Sequence, residues 1–569
     1  MTGRLTRALP VVWAVLLPLV LLGPVLGRGF VLSYDMVFVP DLGLRSDFWG
    51  LGTGLPRAVP SDAVVALVDE VLPGEWLQKL VLYGALLLAG LGVLRLVGSG
   101  LPGRLVAVSV AVWNPFVVER LWIGHWTVLL GYAAVPWLVA AGRRARQDGR
   151  VPAGALLPLV LGSLSASAGV VSALALLVPA WPRSTARVKV GLVLVVALAE
   201  GPWVVAGVLN SAAASTGGSA AFALRSDGSL PAPFAALGLG GIWNAETVPG
   251  SRESAWAVVS LLILAGLAGL GARRWWRRTG VAEAAPLTVL WGLGYLLALT
   301  TWAAPWAVTW LGDHVPGGGL FRDGTRALGL CVPLLVCLVA EGVDVVADRI
   351  PWGKARIAVA AAGAVFPVLL MLDAAWGIGG ELQPVQYPPE YAAARAELAG
   401  AGDRGDLLVL PFSSYRAPAW NGSRKVLDPL GRFLTPNYLA SDDLSVSGVV
   451  IAGEDSRSDS VRRALADPDP AARAAALTRL GVAWVAREKD APGYGVPPYD
   501  APMPGVVLHD GPRLQVVALP GEARQRDATS ARAVSLALAW AGYLGLALLG
   551  AVRLTRKGAR VDVTHGATT

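Results

Sequence analysis

Apolar runs of bilayer-spanning length, separated by short arginine and lysine clusters, recur along most of this 569-residue chain. A run of about 20 apolar residues crosses the hydrocarbon layer as a helix, because each backbone amide must find its partner within the segment. The first runs from Pro10 to Leu26, behind Arg4 and Arg7. Others cover about 77–97, 105–118 and 126–141. The stretch 153–181 is too long for one helix and is broken by Gly162-Ser163-Leu164-Ser165-Ala166-Ser167-Ala168-Gly169, so it reads as two short helices turning back. Further runs fall at about 189–209, 253–271, 281–300, 327–346, 356–376 and 532–552. With 54% hydrophobic and 15% charged residues, the chain is excluded from the ordinary soluble globules.

The basic clusters set the orientation. Arg95 and Arg104, Arg143 to Arg150, Arg183 to Lys189, Arg273 to Arg278, Arg349 to Arg356, and Arg553 to Arg560 all fall on one side if the chain makes about twelve crossings. This predicts an all-α polytopic protein of the cell membrane with both termini cytoplasmic. The net charge of +8 is then topology, and nucleic acid is not expected as a partner. Cys331 and Cys337 share one apolar run and read as core residues. Between 377 and 530 the apolar runs stop. Asp406-Leu407-Leu408-Val409-Leu410-Pro411, Val482 to Ala486, and the pair Val506 to Leu508 and Leu514 to Val517 read as strands, the pair forming a hairpin. Arg462 to Leu480 is helical in pattern, apart from a break at Pro468/Pro470. The expected division is a transmembrane domain at 1–376, a small extracytoplasmic α/β domain at 377–530, and a final helix with a basic tail at 531–569.

Outer loops should be poor in charge, so the exceptions are informative. Ser33-Tyr34-Asp35-Met36-Val37-Phe38-Val39-Pro40-Asp41 places two carboxylates just beyond the first crossing. They either solvate a loop or do chemistry at the membrane surface. Asn114-Pro115-Phe116-Val117-Val118-Glu119-Arg120-Leu121-Trp122-Ile123-Gly124-His125-Trp126 forms one whole outer turn, with one of only four histidines. It is either an aromatic belt with a charge pair or a site for an anionic headgroup, suited by the planar donor fork of Arg120. A third loop carries Phe321-Arg322-Asp323-Gly324-Thr325-Arg326. Arg322 and Arg326 either anchor a helix end or clamp a phosphate. Before it, Trp302, Trp306 and Trp310 share one face of an interfacial helix. The run Gly317-Gly318-Gly319 lacks the lysine of a phosphate loop.

The Asp35 loop, Asn114-Pro115-Phe116 running into Glu119 and Gly124-His125, and Tyr132-Ala133-Ala134-Val135-Pro136-Trp137 together resemble the GT-C glycosyltransferases. Within them the likeness is to the membrane region of the AftD-type actinobacterial arabinofuranosyltransferases. The Phe321 to Arg326 segment and the Leu480-Gly481-Val482-Ala483-Trp484-Val485 strand are also similar to membrane proteins of the YfhO type. The resemblance implies transfer of a sugar from a polyprenyl-phosphate donor to a cell-envelope glycan on the outer face, with inversion. It implies Asp35 as general base, with Asp41 as the alternative carboxylate. Arg120, His125, Arg322 and Arg326 would hold the donor phosphate.

That chemistry suits the residues: a phosphate leaving group needs cationic donors, and an acceptor hydroxyl needs a carboxylate within reach. Trp122, Tyr415, Trp420 and Asn421 pair aromatic faces with hydrogen-bonding groups suited to the acceptor sugar, and the loop from Pro411 to Asn421 is either a structural cover over the membrane domain or the element that orients the acceptor. No cluster has metal-ligand spacing, and a divalent cation bridging Asp35 or Asp41 to the phosphate stays open. The rival readings are a lipid or glycan transporter or flippase, and a non-catalytic envelope-assembly protein. The charges at span ends and the lack of related halves favour the enzyme over a transporter.

Overall fold

The computed structural model describes every residue except 1–2, 53–55, 211–217, 316, 351–352, 403, 447–448, 452, 454, 495, 497–498, 524–528 and 566–569. Among the described residues, eight helices are long and apolar enough to cross a membrane, from Thr6–Leu26 to Ser530–Arg553. The apolar pair Ile357–Leu369 and Leu372–Gly379, bent by 72°, is either a broken ninth span or a re-entrant segment. The other three apolar runs read from the sequence are the helix Trp126–Asp148, which carries Pro136 and three terminal arginines, and the short helices Leu156–Gly162 and Ala166–Ala180. Those two turn at Ser163, whose hydroxyl donates to Leu159 O at 2.6 Å. The fold is therefore polytopic and helical, as its apolar runs require.

The basic clusters meet at one end of the bundle. Arg143 pairs with Glu283 at 3.1 Å, and Arg274 and Arg278 reach Glu341 at 2.7 and 2.9 Å. Asp344, one helical turn past Glu341, accepts the backbone N–H of Gly103 at 2.9 Å. The segments at 95–104 and 273–278 thus meet at the acidic end of the Gly324–Asp348 helix, and the 143–146 cluster meets Glu283 at the start of the Val281–Ala303 helix.

At the other end stands a five-stranded sheet in the order Val506–Asp510, Leu514–Ala518, Val482–Glu488, Asp406–Leu410 and Tyr438–Leu439. The first three strands are antiparallel and the last two run parallel to Val482–Glu488. Alternation along these strands sends side chains to opposite faces. Leu408, Leu410 and Val485 pack on the helices Ser456–Leu465 and Pro470–Arg479. Leu407, Val409, Trp484 and Ala486 join the core that continues into the bundle. The helical break falls where Asp469 caps the second helix, accepting from the N–H groups of Ala471 and Ala472.

The loop after the first helix is woven into this region. Phe30–Val31 pairs antiparallel with Pro384–Val385. Arg45, 5% exposed, donates to the carbonyls of Gly431, Arg432 and Leu434, the unpaired C-terminal carbonyls of the short helix Leu430–Phe433. The Asp35 loop is thereby fixed against two bodies of structure at once.

Candidate active site

The turn at 114–126 is built by local rules. Asn114 caps the helix Pro115–Trp122, accepting from Val117 N–H at 3.1 Å, and Pro115 takes the first helical position. Gly124 then adopts φ +80°, and a Cβ there would lie 2.3 Å from Met36 N and 2.5 Å from Ser33 O. Only glycine permits both the turn and the close approach. The approach brings Asp35 N–H to Ile123 O at 3.1 Å, at the tip of a turn in which Tyr34 has φ 44°. His125 follows Gly124 directly and faces Asp35.

A chain of polar side chains results. Asp35 Oδ2 lies 3.2 Å from His125 Nε2, and His125 Nδ1 lies 3.0 Å from a terminal nitrogen of Arg120. Arg120 donates to both oxygens of Asp323, at 3.1 and 3.3 Å, and to Thr325. Arginine only donates, so His125 Nδ1 accepts and its proton sits on Nε2, directed at Asp35. Asp35 also accepts the Tyr415 hydroxyl through Oδ1. Exposure rises along the chain: the Arg120 and Asp323 side chains are 1% and 4% exposed, His125 5%, and Asp35 39%. The carboxylate alone opens substantially to the surface.

The electrostatics agree with this ordering. Burial opposes charge on Asp35, but the hydrogen bond and charge of His125, the Tyr415 hydroxyl and the Arg326 guanidinium prevail, leaving its carboxyl below the usual range. Burial, reinforced by Arg326 and Arg120 and resisted by Asp35, pushes His125 down to about 4. Asp323 overcomes its burial through Arg120 and Arg326 and is also held low. Burial and the Asp35 charge push the Tyr415 phenol well up, so it stays a donor. At neutral pH the site holds an ionised Asp35 between a neutral histidine and a neutral tyrosine.

The other expected residues divide. Arg326 donates to Asp323 at 2.9 Å and to Ser167 at 3.2 Å, and it lines a narrow crevice with Phe116, Val128, Tyr132 and Val171. Arg322 lies 4.7 Å from the Phe222 ring centroid, and Phe222 packs on Trp243, whose indole N–H donates to Asp323 at 3.1 Å. Arg120 is turned inward to Asp323, not toward an open surface. Asp41 does not join the chain: its carboxylate pairs with Arg395 at 2.6 Å. Trp122 contributes its carbonyl, which accepts from Ser33 Oγ at 2.7 Å. Trp420 packs against Tyr387 and Tyr391. Asn421 is fully buried, with its amide spent on Leu32 O and Arg424, so it presents nothing to a sugar. Of the four acceptor candidates only Tyr415 reaches Asp35.

Several neighbours were not singled out from the sequence. Asp323 had a signal, an acid between Arg322 and Arg326 just before an apolar run. Glu246 and Lys425 had none. Glu246 accepts from the Tyr34 hydroxyl at 2.8 Å and pairs with Lys425 at 3.3 Å, and Lys425 lies over the rings of Tyr34, Tyr415 and Tyr494. Glu246 is half-exposed and the Lys425 side chain is largely covered, and together they border Tyr34 and Tyr415 beside Asp35. Among the described residues, no group of three His, Cys, Asp or Glu side chains could hold a metal ion.

No family model matches the chain, and no curated protein does. Solved structures do. The cryo-EM structure of arabinofuranosyltransferase AftD from Mycobacteria superposes with a TM-score of 0.56 at 16% identity, over 92% of this chain and 40% of that one. A mutant of the same protein superposes at 0.55 and 17%, over 91% and 42%. The chain thus spans about two fifths of the length of AftD. At that identity the likeness carries the fold alone: the chain is a mostly helical, multi-pass membrane protein that shares the fold of the part of AftD it covers.

Proposed function

We propose that this chain is a membrane glycosyltransferase that moves a sugar, of arabinofuranose type, from a polyprenyl-phosphate donor to an envelope glycan. Asp35 is the general base that takes the acceptor proton, and the sugar is displaced with inversion. The single observation that carries this reading is the Asp35 carboxylate, half-open at the end of the bundle opposite the basic clusters and held by His125 and Tyr415. A base needs an ionised, oriented and accessible carboxylate, and this one meets all three conditions. His125 orients it and does not itself accept the proton, because its free lone pair faces Arg120. The donor phosphate falls to Arg326 and Arg322, with Arg120 and Asp323 fixing the loop that carries them. The 377–530 segment is proposed as an extracytoplasmic domain over the 1–376 bundle, with both termini in the cytoplasm.

The test is envelope glycan analysis after deletion of the gene. Loss of one glycosidic linkage, restored by the wild-type chain and not by Asp35→Asn, supports the reading. Restoration by Asp35→Asn removes Asp35 from the mechanism.

One observation favours transport: Glu200, within the Ala186–Leu209 span, is buried, with a carboxyl oxygen 3.0 Å from the Ser163 hydroxyl where the two short helices turn. Glu200→Gln with unchanged transfer and lost lipid movement would select that alternative.

A further inference from the structure

We infer that Tyr415 is a positioning residue for Asp35, so that the hairpin carrying it, from the segment C-terminal to the bundle, completes the base. The inference rests on the proposed function for its catalytic meaning, but its geometry stands alone. The strands Tyr415–Arg416 and Val426–Leu427 pair antiparallel. The return strand brackets the residue before Asp35: Tyr34 N–H donates to Lys425 O at 2.9 Å, and Leu427 N–H donates to Tyr34 O at 2.7 Å. Asn421, at the hairpin's far end, donates to Leu32 O at 3.3 Å. The outward strand delivers the Tyr415 hydroxyl to Asp35 Oδ1, on the oxygen that His125 leaves.

Beneath the hairpin lies a second polar network. Arg416 has no exposed surface and donates to Asp428 at 3.0 and 2.8 Å, with Glu488 at 3.3 Å. Asp428 N–H donates to Ser414 O at 3.0 Å, tying the two strands together. Burying these charges is costly, and what such a network supplies is a fixed geometry. Here that geometry sets the position of the neighbouring Tyr415.

The charged and titratable groups around Asp35 come from four elements. His125 and, behind it, Arg120 lie on the turn at 114–126. Asp323 precedes the Gly324–Asp348 helix and Arg326 lies in its first turn. Tyr34 flanks Asp35 in its own loop, held by Glu246, and Tyr415 and Lys425 lie on the hairpin. Of these, His125 and Tyr415 donate hydrogen bonds to the carboxylate. A donor to the charged form favours that form, so removing the Tyr415 hydroxyl makes Asp35 easier to protonate.

The experiment is pH-dependent carbodiimide labelling of Asp35 in the detergent-solubilised full chain, read by mass spectrometry, since only the protonated carboxyl reacts. Tyr415→Phe is expected to raise the labelling midpoint by about one to two pH units. Tyr494→Phe, next to Lys425 but not bonded to Asp35, is expected to leave it unchanged. 3-Fluorotyrosine at position 415, a stronger donor of the same shape, is expected to lower the midpoint, which keeps the test open should Tyr415→Phe not fold. An unmoved midpoint in a folded Tyr415→Phe chain, or in the fluorinated one, overturns the inference. If the midpoint moves but the wild-type chain transfers no sugar at any pH, the transferase reading fails and the positioning of Asp35 by Tyr415 stands. If it transfers, the acid limb of the rate moves with the midpoint.

Discussion

At the scale of single residues, the site turns on which way one imidazole carries its proton. Arg120 occupies His125 Nδ1, so Nε2–H is committed to Asp35, and a charge on His125 would be buried beside Arg120 and Arg326. An unfolded histidine takes its proton near the ordinary 6.5, the folded one only near about 4. Between those values the unfolded state binds more protons, so stability falls as pH drops through that window, by up to about 3 kcal/mol. Thermal unfolding in detergent at pH 7 and pH 4.5 checks this. His125→Gln is expected to flatten the dependence, and an equally steep loss in that variant would contradict it. On the donor side, Arg326→Ala is expected to lower transfer about 10²-fold. Arg326→Lys should recover only part of that, since the planar fork is lost. Asp35, His125 and Arg326 stood out in the sequence because charge is rare in the loops that lack basic clusters. The inward turn of Arg120 was not, because its partner Asp323 is 203 residues away.

At the scale of elements, the close approach at Gly124 joins two loops into one site. Gly124→Ala forces a Cβ to 2.3 Å from Met36 N at φ +80°. It is expected to cost more than about 1 kcal/mol of stability and to part His125 from Asp35. Unfolding and transfer that both match the wild type would contradict that. Elements with a period were legible: the span helices, the strands around Leu408 and Val485, and the helix break before Pro470. The weave of the first loop was not, because two-residue strands such as Phe30–Val31 and Pro384–Val385 carry no periodic signal. For the same reason Asp41 read as a site residue although Arg395 holds it, and Asn421 read as a sugar contact although Leu32 holds it.

At the scale of the molecule, one core runs from the first helix through the bundle to the sheet, and the candidate site lies where bundle, first loop and sheet region meet. The basic clusters gather at the far end, which predicts a cytoplasmic face there. Reporter fusions at Gly402 and Gly558 should report opposite sides of the membrane, and the same side for both would refute this orientation. The proposed role of Asp35, taking a proton during sugar transfer, is tested by measuring transfer by the purified full chain from a polyprenyl-phosphate sugar donor to an envelope glycan acceptor, with Asp35→Asn as the comparison. A drop of roughly two to four orders of magnitude in turnover with donor binding retained is expected; turnover close to wild type in Asp35→Asn would contradict a role for Asp35 as base.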